Sequence, residues 1–239
     1  MIVNLTEIPG ETATLPPCAA CGATDFAARA VLWPELVGAW ELSEEETGYI
    51  NRQQGVHCRN CGNNLRMIGL AAAITRAAGA PGSLEEFCAS SPALRVLEIN
   101  TAGLLTQFLA RLPGHRLVEY PAFDMMDLAI TSGSFDMVVH SDSLEHVPDP
   151  VKGLAECRRV LREGGHCIFT VPLVVGRLTR SREGLPPSHH GQASTATDDQ
   201  LVRTEFGADA WQYVLRAGFT SCEIVVLEYP AALTFVATR

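Results

Sequence analysis

What the chain lacks narrows its function before any motif is read. No apolar run approaches the roughly 18 residues of a membrane span, and Met1 to Gly10 lack the basic start and apolar core of an export signal. No membrane partner is expected, and the cytoplasm is the expected location. Basic tracts are missing too: 18 Lys+Arg stand against 27 Asp+Glu, for a formal charge of -9. The densest basic stretch, Arg158 to Arg162, reads as one face of an amphipathic helix. Such a surface repels phosphate backbones, and no interleaving of aromatic and basic residues offsets it. No nucleic acid partner is expected, and a small-molecule or sugar acceptor is favoured. No G-x-G-x-x-G follows any strand, which deprives a nicotinamide dehydrogenase of its phosphate turn. Internal repeats and low-complexity tracts are absent.

What is present suits one main globular domain with a small appendage: 239 residues, 47% hydrophobic and 19% charged. In a reducing compartment the 8 cysteines must be read as metal or packing chemistry rather than as disulfides. Cys18-Ala-Ala-Cys21 and Cys58-Arg-Asn-Cys61 are two C-x-x-C knuckles, each followed by a glycine, Gly22 and Gly62. Two such knuckles present four thiolates to one ion and complete a tetrahedral structural zinc site, with no position left open for catalysis. Reduced packing pairs or a redox dithiol are the alternatives. His57 is a weaker alternative ligand, read as a surface residue. Cys88, Cys157, Cys167 and Cys222 fall on apolar faces and read as small core residues.

Three regions follow one another: the four-cysteine region 1–64, connecting helices 65–93 and the main domain 94–239. In the first, Ser43 and Glu46 form a capping box for a helix running toward Asn51. Leu65 to Ala78 has helical spacing and stops at Gly79. From Leu94 short apolar runs alternate with helical segments, the pattern of a mostly parallel sheet covered by helices. Strands are expected at Val96–Ile99, Arg116–Glu119, Phe135–His140 and His166–Val171. One helix is expected over Leu104–Leu112, and another from an Asp149-Pro150 start to Gly164-Gly165. Only Tyr120 to Phe123 separate the second strand from Asp124, too few for a parallel crossover, so a third parallel strand is short or missing. Pro172 to Leu201 has no clear periodicity and reads as a lid or acceptor-binding segment. Ala208 to Ala217 is a helix, and Cys222–Leu227 with Leu233–Ala237 forms a final antiparallel hairpin.

The run Phe135-Asp136-Met137-Val138-Val139-His140-Ser141-Asp142-Ser143-Leu144-Glu145-His146-Val147, followed by Arg158 to Gly165, resembles the fourth-strand and pre-fifth-strand motifs of class I methyltransferases of the type 11 branch. The cysteine region resembles the zinc-ribbon segment ahead of this domain in some bacterial members. The resemblance implies a doubly wound, Rossmann-like α/β fold with S-adenosylmethionine lying across the carboxyl ends of the strands. It implies that Glu98 supports the methionine end and that Glu119 takes the ribose hydroxyls. Asp127 meets the adenine amino group, with Met126 and Leu128 beside the ring. His140, Ser141 and Asp142 line the sulfonium and carboxylate end. Where the family has alternating glycines this chain has Asn100, Ala102 and Leu104, with Gly103 out of frame. Asn100 partly compensates, because Asn tolerates the left-handed region.

The function expected is methyl transfer to a small acceptor; the alternative is a degenerate fold that binds cofactor or a partner without transfer. In the long segment, His190 and then His189 are the candidates to take the acceptor's proton, with Asp142 as a further candidate. His146 reads as a packing residue at its turn. The acceptor and the oligomeric state are not encoded in any motif.

Overall fold

The computed structural model describes residues 15–189 and 200–239. These residues divide into two compact units, one comprising 15–92, 103–111 and 224–234, the other 93–102, 112–189, 200–223 and 235–239.

In the first unit β1 (Phe26–Ala27) pairs antiparallel with β2 (His57–Cys58). Between them lie α1 (Pro34–Ala39) and α2 (Glu44–Gly55). The expected capping box is formed: Ser43 Oγ accepts from the Glu46 N–H at 3.1 Å and Glu46 Oε2 accepts from the Ser43 N–H at 2.8 Å. The helix runs past Asn51 and ends at Gly55, where an added Cβ would stand 1.8 Å from the Arg29 carbonyl oxygen. A tertiary approach, absent from any local pattern, sets that end. α3 (Leu65–Ala77) starts on Asn64, whose side chain accepts from the Met67 N–H at 3.0 Å. It is followed by α4 (Leu84–Ala89). The expected Leu104–Leu112 helix is instead a 3₁₀ turn, Gly103–Leu105, and α5 (Thr106–Leu109). Leu65, Ile68, Leu70, Ile74, Leu84, Leu105 and Leu109 are fully buried and form this unit's core.

The second unit is built on a sheet. Its chain order is β3 (Arg95–Ile99), β4 (Gly114–Val118), β5 (Phe135–Ser141), α6 (Pro150–Val160) and β6 (Leu161–Thr170). Then come β7 (Leu173–Val174), β8 (Arg180–Ser181), β9 (Thr204–Gly207), α7 (Trp211–Arg216), β10 (Ser221–Glu228) and β11 (Ala232–Thr238), of which residues 224–234 are counted with the first unit. The six-stranded sheet has the order β10-β11-β6-β5-β3-β4. β4, β3, β5 and β6 are parallel, and β11 is antiparallel to β6. This is the mixed, mostly parallel Rossmann-like arrangement with its closing hairpin. No strand lies beyond β4 among the described residues, so the third parallel strand is missing where the short connection predicts it.

Two expectations are corrected. The helix from Pro150 stops at Val160 and not at Gly164, because Leu161 already pairs with Phe135 in the sheet. The Arg239 guanidinium caps the released carbonyls, donating to Arg159 O at 2.9 Å and also to Leu161 O. The segment after β6 is not without structure, since β7 pairs parallel and β8 antiparallel with β9 in a separate three-stranded sheet. No helix among the described residues is long and apolar enough to cross a membrane.

Candidate functional site

The four cysteines of the knuckles come together in the first unit. Their sulfurs lie within 4.8 Å of one another, with Cys18 to Cys61 at 3.8 Å and Cys21 to Cys58 at 3.6 Å. Thiolates bonded at about 2.3 Å at the corners of a tetrahedron stand about 3.8 Å apart, so the cluster has the dimensions of a closed zinc site. Each knuckle turns through a left-handed glycine, Gly22 at φ 78 and Gly62 at φ 73. The Gly22 N–H donates to Cys18 O at 2.6 Å and the Gly62 N–H to Cys58 O at 2.9 Å. Side-chain amides reach the sulfurs, Asn60 to Cys21 at 3.5 Å and Asn63 to Cys61 at 3.4 Å. Burial raises the Cys18 and Cys61 thiols; at Cys21 burial is overcome by the Asn60 amide and the turn backbone, and the thiol sits below its ordinary value. A buried cation is what lets such a set ionise together. His57 is outside the cluster: its Nδ1 lies 2.8 Å from Gly55 O.

In the second unit the strand order reverses at the carboxyl end of β3, with β4 on one side and β5 on the other. Open sheets of this kind bind ligands at such a point. Asn100 follows β3 in the left-handed region at φ 53. Its N–H donates to Val118 O at 2.8 Å, its side-chain carbonyl accepts from the Tyr120 N–H at 3.1 Å, and its amide donates to Ser143 Oγ at 3.1 Å. One residue thus ties together the ends of β3, β4 and β5. Glu98 is fully buried. Its Oε1 accepts from the Ala102 N–H at 2.7 Å and its Oε2 lies 2.7 Å from His115 Nε2. Glu98 therefore braces the turn from within. Gly103 opens the 3₁₀ turn and belongs to the first unit.

The remaining edge residues differ in what they leave available. Glu119 is exposed just past β4, and its carbonyl accepts from the Phe123 N–H at 3.0 Å. Asp127 is exposed and Met126 half-buried in a turn held by Asp124, whose Oδ1 accepts from the Met126 N–H at 2.8 Å. Leu128 is buried, its N–H donating to Glu156 at 2.9 Å and its carbonyl accepting from Arg159 at 2.7 Å. Ser141 Oγ is 2.8 Å from Thr170 Oγ1. Asp142 sits at φ 46, its N–H donating to Thr170 O at 3.1 Å. His140 stands at the edge only through its backbone. Its ring is wholly buried and stacked on Phe169 at 4.8 Å, and burial holds its pKa at about 3, so it is neutral.

Beyond β6, Arg182 pairs with Glu205, both buried, and Arg180 Nε lies 2.5 Å from Glu205 Oε2. His189 is half-buried and bridges to Leu201, whose carbonyl lies 3.0 Å from His146 Nδ1. His146 thus packs at its turn as expected. His190 and Gly191 lie outside the described residues.

Residues 78–169 match the family described as Methyltransferase domain. A demethylmenaquinone methyltransferase of Clavibacter sepedonicus is 37% identical over 100 residues, covering 41% of this chain and 41% of that protein. A ubiquinone biosynthesis O-methyltransferase of Ralstonia nicotianae is 32% identical over 91 residues, covering 37% of this chain and 38% of that protein. The chain thus spans less than half the length of these relatives. Among solved structures, a 1,6-didemethyltoxoflavin-N1-methyltransferase of Burkholderia thailandensis covers 90% of this chain and 95% of its own, at 15% identity and a TM-score of 0.43. That likeness is too loose to bear on chemistry.

The matched stretch contains all the candidate cofactor residues from Glu98 to Ser141, together with Asp142; the four cysteines precede it and the two histidines follow it. Three residues that shape its edge escape sequence reasoning: His115, Ser143 and Thr170. Each acts through the position of another residue, and no spacing rule links it to its partner.

Proposed function

We propose that the chain is an S-adenosylmethionine-dependent methyltransferase acting on a small-molecule or sugar acceptor, with a structural zinc ion held by Cys18, Cys21, Cys58 and Cys61. The match over residues 78–169 carries the reading. The carboxyl edge supports it, because Asn100 takes up at φ 53 the backbone conformation that glycine usually supplies at such a turn. The exposed carboxylate of Glu119 is suited to accept from ribose hydroxyls. Asp127 would meet the adenine amino group, with Met126 and Leu128 beside the ring, and the Ser141–Asp142 corner would face the methionine end. Glu98 acts through the Ala102 N–H and not by contact.

The cofactor supplies a sulfonium methyl group already activated for in-line attack. The protein's task is alignment, which can contribute several kcal/mol toward the barrier. Where the acceptor starts protonated, His190 or His189 would take its proton, with Asp142 the remaining candidate. Demethylmenaquinone is the acceptor named for one relative, which accords with a small acceptor here. The test is mass-spectrometric detection of S-adenosylhomocysteine formed with a metabolite pool. Product formation that falls at least about 100-fold in His190→Ala, with cofactor affinity held within about twofold, supports the full reading. Cofactor binding without product from any acceptor points to the degenerate fold instead.

A further inference from the structure

We propose that His140, Cys157 and Cys167 form a second metal centre in the interior of the sheet unit, taking one thiophilic d10 cation, Zn2+ or Cu+. The three residues come from three elements, β5, α6 and β6. All are fully buried, and their ligand atoms lie within 4.8 Å of one another. The register pairs Val138 with Cys167 and His140 with Phe169, which sets His140 and Cys167 on one sheet face; Cys157 joins them from α6.

The imidazole gives the independent observation. Neither His140 nitrogen has a hydrogen-bond partner, although both are buried. A buried polar group left unmade costs about 1–3 kcal/mol, which a bond to a cation would offset. The stack on Phe169, with 14° between the rings, fixes the plane in which that bond would form.

Donor chemistry narrows the ion. With no oxygen donor in the cluster, Mg2+ and Ca2+ are excluded, whereas thiolate and imidazole suit Zn2+ and Cu+. Two thiolates and a neutral imidazole around Zn2+ sum to zero charge, the state a dry interior tolerates best; Cu+ is accommodated with one thiol retaining its proton. Bonds of about 2.3 Å to sulfur and 2.0 Å to nitrogen place ligand atoms about 3.7 Å apart. The cluster would close by at most about an ångström on binding. Cys157 and Cys167 lie apart in sequence on a helix and a strand, so no knuckle spacing reveals them.

The test is metal content per chain, by inductively coupled plasma mass spectrometry, after expression in medium supplemented with zinc and, separately, with copper. His140→Phe retains ring stacking and removes the unpartnered nitrogens, so it keeps the fold, as near-ultraviolet circular dichroism would check; Cys157→Ala is the second variant. In one of the two media the wild type is expected to hold about one ion more than either variant. This difference is independent of how much metal the four-cysteine knuckle holds. Equal metal content of wild type and both variants in both media would overturn the proposal.

Discussion

Asn100 is where the chain's departure from a glycine turn is resolved. It combines a left-handed backbone with three hydrogen bonds, one to each neighbouring strand end and one through its own N–H. Asn100→Ala forfeits both side-chain bonds and forces a Cβ residue less tolerant of that conformation, so urea unfolding should show a loss of about 1–2 kcal/mol. Asn100→Gly should lose less, because the backbone is then relaxed. Equal losses would mean that the conformation is not what Asn supplies. The conformation was legible in the sequence, since Asn stands where glycine is expected. The brace beneath it was not: Glu98 was visible as a strand-end acid, but His115 reaches it from the start of the next strand with no motif to mark the pair. A second residue makes stability depend on pH. Burial acts to raise Asp136, but Arg95 and Arg162 outweigh it and hold the carboxyl at about 2. The unfolded value is about 3.9, so the stabilisation is complete above that pH and lost as pH falls toward 2. Both guanidinium side chains are about half exposed, at 52% and 51%, and solvent screening reduces the contribution to about 1 kcal/mol. The gap between wild type and Asp136→Asn should therefore be about 1 kcal/mol at pH 7 and about half of that at pH 3. A gap that does not change between the two would remove the linkage.

At the scale of elements, local chemistry was readable and tertiary termination was not. The capping box of α2 is encoded within four residues, and Ser43→Ala should cost about 1 kcal/mol by removing the acceptor for the Glu46 N–H. Thermal unfolding that leaves Ser43→Ala level with wild type would show that the cap is already satisfied by solvent. The far end of the same helix depends on Arg29, some distance back in sequence, and could only be seen in three dimensions. The break at Gly103–Leu105 and the end of α6 at Val160 escaped for the same reason, because apolar spacing continues past both. The missing third strand, by contrast, was legible, since a parallel crossover has a minimum length and the chain between Glu119 and Asp124 does not provide it. The pairings of β7 and β8 with β9 join residues 23 to 33 apart along segments with little periodicity, which is why the region reads as a loop.

At the scale of the whole molecule, two binding events carry the account. The clustering of the four cysteines was legible, because two C-x-x-C knuckles name its members, and the sulfur separations would suit zinc coordination. Binding energy at such a site is folding energy of the segment around it. Chelation with EDTA should accordingly strip the ion and abolish amide hydrogen-exchange protection at Cys58, Gly62 and their neighbours; undiminished protection in metal-free protein would assign the cysteines to packing. The candidate cofactor edge was visible as strand ends bearing acids, but not which of them face inward: Glu98 and His140 are turned into the interior while Glu119 and Asp127 stay exposed. That division leaves Glu119 as the exposed carboxylate available to the ribose of S-adenosylmethionine in the proposed function. Calorimetric titration of S-adenosylmethionine into wild type and Glu119→Ala tests it most directly. One site per chain is expected in the wild type and a loss of about 1.5–3 kcal/mol in the variant, from hydrogen bonds to a charged acceptor; no binding to the wild type at all would contradict S-adenosylmethionine as the cofactor.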